Sequence, residues 1–213
     1  MPELATVRDH IAGSARLARR SPADITLIAV SKTRGVDQIA PLIAAGQRDF
    51  GESRVQEAAD KWPALRAAHP DIRLHMIGQL QSNKAADAVA MFDVIHSLDR
   101  TSLLDALSVA ATKAGRFPAC FVQVNVGQEE QKGGIVPADL GDFLAAVRTS
   151  PLPLAGLMCI PPAELEPAPF FAFLNELARR HDVIGLSMGM SADYEIAVKL
   201  GATHVRVGSA LFA

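Results

Sequence analysis

Short apolar or β-branched runs alternate along the chain with longer stretches whose apolar residues recur at helical spacing. Residues 25–30 form the first run, and Val36, Ile39, Leu42 and Ile43 then share one helical face that Gly46 is placed to close. A run at 48–51 precedes a helix through Val55 and Ala58, which Pro63 is expected to limit. The run at 73–77 leads to Ser82, read as the N-cap of a helix ending near Met91. Residues 94–97 are followed by a strongly amphipathic helix carrying Leu103, Leu104, Leu107 and Ala111, with Gly115 just past its end. Residues 119–125 and 154–160 give the fifth and sixth strands. Their helices carry Leu140, Phe143, Leu144 and Val147 in one case, and Phe170, Phe171, Leu174 and Leu177 in the other, the latter after a proline-rich stretch at 161–169. Residues 183–187 and 204–207 supply strands seven and eight, separated by a helix over 193–200 that Gly201 caps.

Eight strands with helical returns in 213 residues predict an α/β fold, a single (β/α)8 TIM-type barrel, in preference to an open doubly wound sheet. The sequence stops soon after strand eight, so the helix expected over residues 4–19 is assigned to cover the gap an eighth outer helix would fill. No linker, repeat or low-complexity stretch divides the chain, and residues 1–213 are read as one domain.

Composition narrows the function. With 49% hydrophobic residues and 21 Lys+Arg against 23 Asp+Glu, the chain has enough apolar material for a full core and no overall positive field. Nucleic acid and membrane surfaces are therefore disfavoured as partners, and small-molecule chemistry is favoured. Charges interrupt the first twenty residues and every longer apolar segment, so neither an export signal nor a spanning helix is expected. Cys120 and Cys159 lie in apolar runs and read as buried thiols of a reducing, cytoplasmic protein.

In a (β/α)8 barrel, the chemistry sits at the C-terminal ends of the strands, with a phosphate site commonly after strands seven and eight. Strand one ends in Ser31-Lys32-Thr33, which places an amine at the mouth where partial desolvation would favour nucleophilic attack on a carbonyl. The plainer reading is a solvent-facing loop lysine. Strand seven ends in Ser187-Met188-Gly189-Met190-Ser191 and strand eight in Arg206-Val207-Gly208-Ser209. Both ends combine hydroxyls, glycine and free backbone N–H groups, the parts of a phosphate cradle, although each alone reads as an ordinary turn or cap. Arg206 precedes the second cradle and would face the body of a ligand held there. His75, Glu52, Lys84 and Lys132 read as structural when taken singly. A lysine nucleophile beside a phosphate cradle leaves two chemistries open: a Schiff base to pyridoxal phosphate, or an aldolase acting on a phosphorylated sugar.

Several segments together resemble one family. They are Ala29-Val30-Ser31-Lys32-Thr33, the stretch from Ala45 through Gly51-Glu52, His75-Met76-Ile77-Gly78 continuing to Lys84, Gly156-Leu157-Met158, Leu186-Ser187-Met188-Gly189-Met190-Ser191 and Arg206-Val207-Gly208-Ser209. The resemblance is to the pyridoxal phosphate homeostasis proteins, whose fold is similar to the N-terminal barrel of alanine racemase. It implies that Lys32 forms a Schiff base with pyridoxal 5′-phosphate, that Ser187, Gly208 and Ser209 hold the phosphate, and that Arg206 faces the pyridine nitrogen. One position departs from the pattern, since Ser53 stands where the family usually has Asn.

The resemblance further implies a protein that carries, buffers or delivers pyridoxal phosphate, with PLP-dependent apoenzymes as partners and with effects on vitamin B6 and amino-acid balance. Catalysis is not expected, because a racemase needs a second base and the single tyrosine, Tyr194, is placed on the outer side of the strand-seven loop. A low-activity racemase-like enzyme is the alternative. A monomer is expected, no metal is, and a second pyridoxal phosphate site near Lys84 or Lys132 is left open.

Overall fold

Eight parallel strands close into a barrel in chain order, β1 to β8, with β8 pairing back onto β1. The computed structural model describes residues 2–212. The strands are β1 (Thr26–Val30), β2 (Asp49–Glu52), β3 (Arg73–Met76), β4 (Val94–Leu98), β5 (Ala119–Gln123), β6 (Leu154–Met158), β7 (Gly185–Ser187) and β8 (His204–Val207). Around them run α1 (Pro2–Leu17), α2 (Val36–Ala44), α3 (Val55–Ala68), α4 (Ala85–Met91), α5 (Thr101–Ala114), α6 (Leu140–Thr149), α7 (Ala168–Arg180) and α8 (Tyr194–Lys199). Every expected strand is present. Those at 119–125 and 154–160 end two residues sooner than expected, and the one at 183–187 starts two residues later.

Strand side chains that point outward meet the helices. Phe50, Leu74, Ile95, Val122, Leu157 and Val205 belong to one apolar layer with Ile39, Trp62, Val89, Leu107, Leu144 and Leu174. The N-terminal helix performs the task expected of it. Leu4, Val7 and Ile11 are buried on its inner face, and its far end is tied to α8, because Arg20 just beyond the helix donates to the Val198 carbonyl at 2.8 Å. Gly46 has a φ of +83° one residue past the α2 C-cap, the left-handed geometry that its position as a stop signal predicted.

Two expectations fail locally. Pro63 does not limit its helix, since α3 runs to Ala68. Pro63 and Ala59, whose carbonyl loses its helical partner, are both exposed, so that carbonyl is on the solvent side of the helix, while buried Val55, Ala58 and Trp62 keep the helix docked. Ser82 does not cap α4 either. It opens a 3-10 turn over Ser82–Lys84, and its hydroxyl accepts from Arg100 at 3.2 Å while α4 starts at Ala85. No helix among the described residues is long and apolar enough to cross a membrane.

Candidate functional site

Contacts between strands that are not neighbours in the sheet must pass through the inside of the barrel, and here they are polar. His96 on β4 meets Ser187 on β7, with 2.8 Å between Nδ1 and Oγ. The other ring nitrogen of His96 lies 2.9 Å from Nδ1 of His75, whose Nε2 lies 2.9 Å from Oδ1 of Asp49. Arg206 donates to Ser187 Oγ at 2.6 Å and to the Cys159 carbonyl at 3.0 Å. His204 occupies the same interior, and the Phe121 ring stacks on His96 with centroids 4.5 Å apart. Gly156 and Gly185 make room for that ring, since a Cβ at Gly156 would come within 2.5 Å of it and within 2.2 Å of the Gly185 carbonyl oxygen. Barrel interiors are usually filled with Val, Ile and Leu, so this one is unusual in its charge and hydrogen-bonding capacity.

Burial sets the titration behaviour of these groups. It drives His96 well below the ordinary imidazole range, helped by His75, His204 and Arg206, and brings His204 down to about 4. At Asp49 burial opposes ionisation, but hydrogen bonds from His75 and Arg73, with the charge of Arg73, outweigh it and hold the carboxyl below its usual value. Burial also lowers Arg206, against the pull of Cys159 and Asp193. Among the described residues both side-chain bonds of Arg206 go to neutral oxygens, and no carboxylate there contacts this desolvated cation.

The mouth of the barrel lies one layer above this file. Ala29 of β1 is in register with Val207 of β8, so the chain running on to Lys32 lies beside the turn at Gly208 and Ser209. Gly208 packs against Val30, where a Cβ would come within 3.3 Å. Its amide donates to Ser191 Oγ at 3.1 Å, which joins the strand-seven and strand-eight loops into one cradle. In the strand-seven loop, the Met190 amide donates to the Asp193 carboxylate at 2.6 Å. Lys32 is exposed and lines an open cleft of about 320 Å³ with Ser53, Gln79, Asn125 and Lys132. The desolvation expected of Lys32 is therefore absent, because the loop carries the side chain out beyond the apolar strand.

That loop is braced from below. Glu52 is fully buried and its Oε1 accepts from Ser31 Oγ at 2.7 Å, Lys61 Nζ at 2.8 Å and Trp62 Nε1 at 2.9 Å. Lys61 also donates to the carbonyls of Ser31 and Arg34, on either side of Lys32. Thr33 has a φ of +62°, and its amide donates to Glu57. The lysine thus stands on a backbone held at several points, while its own side chain makes no hydrogen bond or ion pair among the described residues.

The structure brings Lys32, Gly208 and Ser209 to one end of the barrel and sets Arg206 just inside it. Ser187 takes a different place from the one expected. Its hydroxyl is fully buried between Arg206 and His96, and Ser191 stands in the cradle instead. Tyr194 lies on the outside as expected, with its hydroxyl 3.0 Å from His10 Nδ1 under α1. Cys120 and Cys159 are free and buried, and burial pushes both thiols up to about 12. The sequence reading missed His96, His204 and Asp49. The available signal was that His75, His96 and His204 each fall on an inward position of a short apolar strand. No set of His, Cys, Asp and Glu among the described residues is arranged to hold a metal ion.

Comparison with known proteins places the chain. Residues 7–213 match the family described as "Alanine racemase, N-terminal domain". The pyridoxal phosphate homeostasis protein of Escherichia coli K12 is 39% identical over 98% of this chain and 94% of its own length. That of Pseudomonas aeruginosa PAO1 is 42% identical over 98% and 93%. PipY of Synechococcus elongatus, solved without PLP and also with PLP bound, is 40% identical, and its PLP-free structure superposes with a TM-score of 0.84 over 95% of this chain and all of its own. An alanine racemase of Clostridium difficile shares the fold alone, at 15% identity, a TM-score of 0.74, and coverage of 99% of this chain and 56% of that one. The chain belongs to the pyridoxal phosphate homeostasis protein family, built on the alanine racemase N-terminal-domain barrel.

Proposed function

We propose that this chain binds pyridoxal 5′-phosphate at the barrel mouth, anchored covalently by Lys32, and that it holds, buffers and delivers the cofactor rather than turning over a substrate. The observation that carries this reading is the β1/β8 register, which sets an exposed lysine beside a turn whose glycine amide is already tied to Ser191. The donor set suits a phosphorylated aldehyde. Ser191, Ser209 and the backbone around Gly208 offer hydroxyls and an amide to a phosphate, and the close packing of Gly208 on Val30 lets the backbone approach a ligand. The PLP-bound form of PipY supports the assignment.

Bound there, the cofactor supplies an aldehyde carbon that a primary amine attacks. Lys32 supplies the amine, and the bracing by Glu52 and Lys61 keeps its backbone in place. Gly208, Ser209 and Ser191 bind the phosphate, while Ser187 supports Arg206 from beneath. Arg206 would present a fixed cation to a cofactor ring held there, which would disfavour a protonated ring nitrogen and weaken the ring as an electron sink. Tyr194 is engaged with His10 on the outside of the barrel and supplies no second base opposite Lys32. Residues 1–213 act in this reading as one cytoplasmic, monomeric binding unit whose open cleft leaves the cofactor within reach of recipient apoenzymes.

The test is the visible spectrum of the purified protein with added pyridoxal phosphate, before and after borohydride, followed by peptide mapping. The expected result is a band that borohydride removes, a pyridoxyl group on Lys32, and loss of both in Lys32→Ala. A colourless protein that takes up no cofactor overturns the assignment. Exchange of an amino-acid Cα proton for deuterium, abolished by Lys32→Ala, would replace the carrier role with an enzymatic one.

A further inference from the structure

Arg206 can only donate hydrogen bonds, and that single fact orders the whole interior file. The Ser187 oxygen accepts from Arg206, and its own buried proton then needs an acceptor, which Nδ1 of His96 provides. His96 in consequence carries its proton on Nε2 and donates to Nδ1 of His75. His75 carries its proton on Nε2 and donates to the Asp49 carboxylate. Four hydrogen bonds therefore point one way, from a buried cation near the mouth to an anion at the strand starts, through two neutral imidazoles.

We propose that Asp49, His75, His96 and Ser187 are positioning residues for Arg206, a polarised hydrogen-bond file through which the charge at the barrel floor sets the orientation and field of the guanidinium at the cofactor face. The inference rests on the functional reading above for what Arg206 faces, and on the interior geometry alone for the file itself. Asp49 also borders a second cavity of about 520 Å³, between the strand starts and α1 and lined by Arg8 and Gln47, so the floor end of the file lies next to solvent. The other groups facing the file are Arg73, which pairs with Asp49 at 2.8 Å, and His204, whose ring centre is 6.1 Å from that of His96. Asp193 and Cys159 lie at the Arg206 end. The low proton affinity that burial imposes on His96 agrees with a neutral ring there.

Asp49→Asn keeps an oxygen acceptor for His75, removes the charge, and turns its amide NH2 toward Arg73 in place of the oxygen that accepts from it. Two readouts test the file. In the cofactor-free protein, nitrogen NMR of His75 and His96 is expected to show both protons on Nε2, with both signals displaced by Asp49→Asn. In the loaded protein, the same variant is expected to keep the borohydride label on Lys32 while shifting the pH midpoint of the visible band and changing cofactor affinity about twofold or more. A surface control, Asp71→Asn, is expected to do neither. Ser187→Ala breaks the file at its other end without touching the floor and is expected to reproduce the spectral shift. A doubly protonated His75, a proton on His96 Nδ1, or a loaded Asp49→Asn protein with an unmoved band overturns the file and leaves the cofactor reading standing. A wild-type protein that never takes up cofactor overturns the cofactor reading, and with it the role of Arg206, whatever the imidazole signals show.

Discussion

The layer between strands and helices and the space inside the barrel are made from the same eight strands, yet they are different materials. The outer layer is aliphatic and aromatic, with Leu74, Ile95, Val122, Leu157 and Val205 packed against the helices. Inside are His75, His96, His204, Ser187 and Arg206, spaced by Phe121 and by glycines too tightly placed to be replaced. Dispersion and burial of apolar area stabilise the outer layer, whereas the interior is held by directional bonds whose net contribution to stability is small. Stability and ligand chemistry are thus assigned to opposite faces of one sheet, and substitutions on the two faces should separate them.

The sharpest separation is between Leu107 and Arg206. Leu107→Ala opens a void in a fully buried site of the outer layer and is expected to cost about 2–5 kcal/mol in denaturant unfolding, with cofactor affinity unchanged in the folded protein. Arg206→Met removes a buried cation and is expected to stay within about 1 kcal/mol of the parent, while weakening cofactor binding. If Arg206→Met unfolds the protein or Leu107→Ala alters binding, the two faces are not divided as described.

Acid should attack the interior first. His204, with its pKa near 4, binds its proton far less readily folded than unfolded, where 6.5 applies, and His96 is displaced in the same direction. Between those values the unfolded chain carries more protons, so stability falls as pH drops from about 6.5 towards 4, by about 3 kcal/mol for His204 alone. Urea midpoints at pH 7 and 4.5 measure the loss, and His204→Gln should flatten the slope. An unchanged slope in that variant would place the acid sensitivity outside the barrel interior.

The same division explains what could be read in advance. The outer layer repeats, so each helix announced itself through residues such as Leu103, Leu104 and Leu107, and the strands through the runs between them. Lys32, Gly208, Ser209 and Arg206 were singled out because the fold rule points to strand ends, and the structure gathers them at one end of the barrel. Interior residues offer no such repeat. His96 shares five-residue β4 with Ser97, and His204 shares four-residue β8 with Arg206, runs too short to mark an inward face, and only closure of the barrel reveals that β4 faces β7. Ser187 ends β7 and Ser191 lies four residues further on in the loop, and spacing cannot tell which hydroxyl turns inward. Pro63 misled for a related reason, since whether a proline ends a helix depends on which side of it meets water.

Ser191 sits at the boundary between the two ends of the site, so its removal should affect binding and little else. Ser191→Ala deletes one hydroxyl from the cradle while the Gly208 amide remains, and is expected to weaken cofactor binding about tenfold with unfolding within about 0.5 kcal/mol of the parent. Equilibrium dialysis against pyridoxal phosphate checks it. Ser187→Ala gives the internal contrast, because its hydroxyl touches Arg206 and should move the visible band as well.

The smallest effect is expected at Ser53, where the resemblance to the family leads one to expect asparagine. Ser53 lines the cleft with Lys32, and its backbone oxygen lies 2.3 Å from where a Cβ on Gly78 would sit, so the backbone is fixed while the side chain borders open space. An asparagine there would add an amide donor and acceptor to the cleft lining beside the lysine. Ser53→Asn is expected to tighten cofactor binding by about threefold, about 0.7 kcal/mol, with no change in the pH midpoint of the visible band, since the new amide touches neither Arg206 nor the interior file. A shift of that midpoint would mean that the mouth and the interior are one electrostatic unit, and the division between them would have to be redrawn at Lys32.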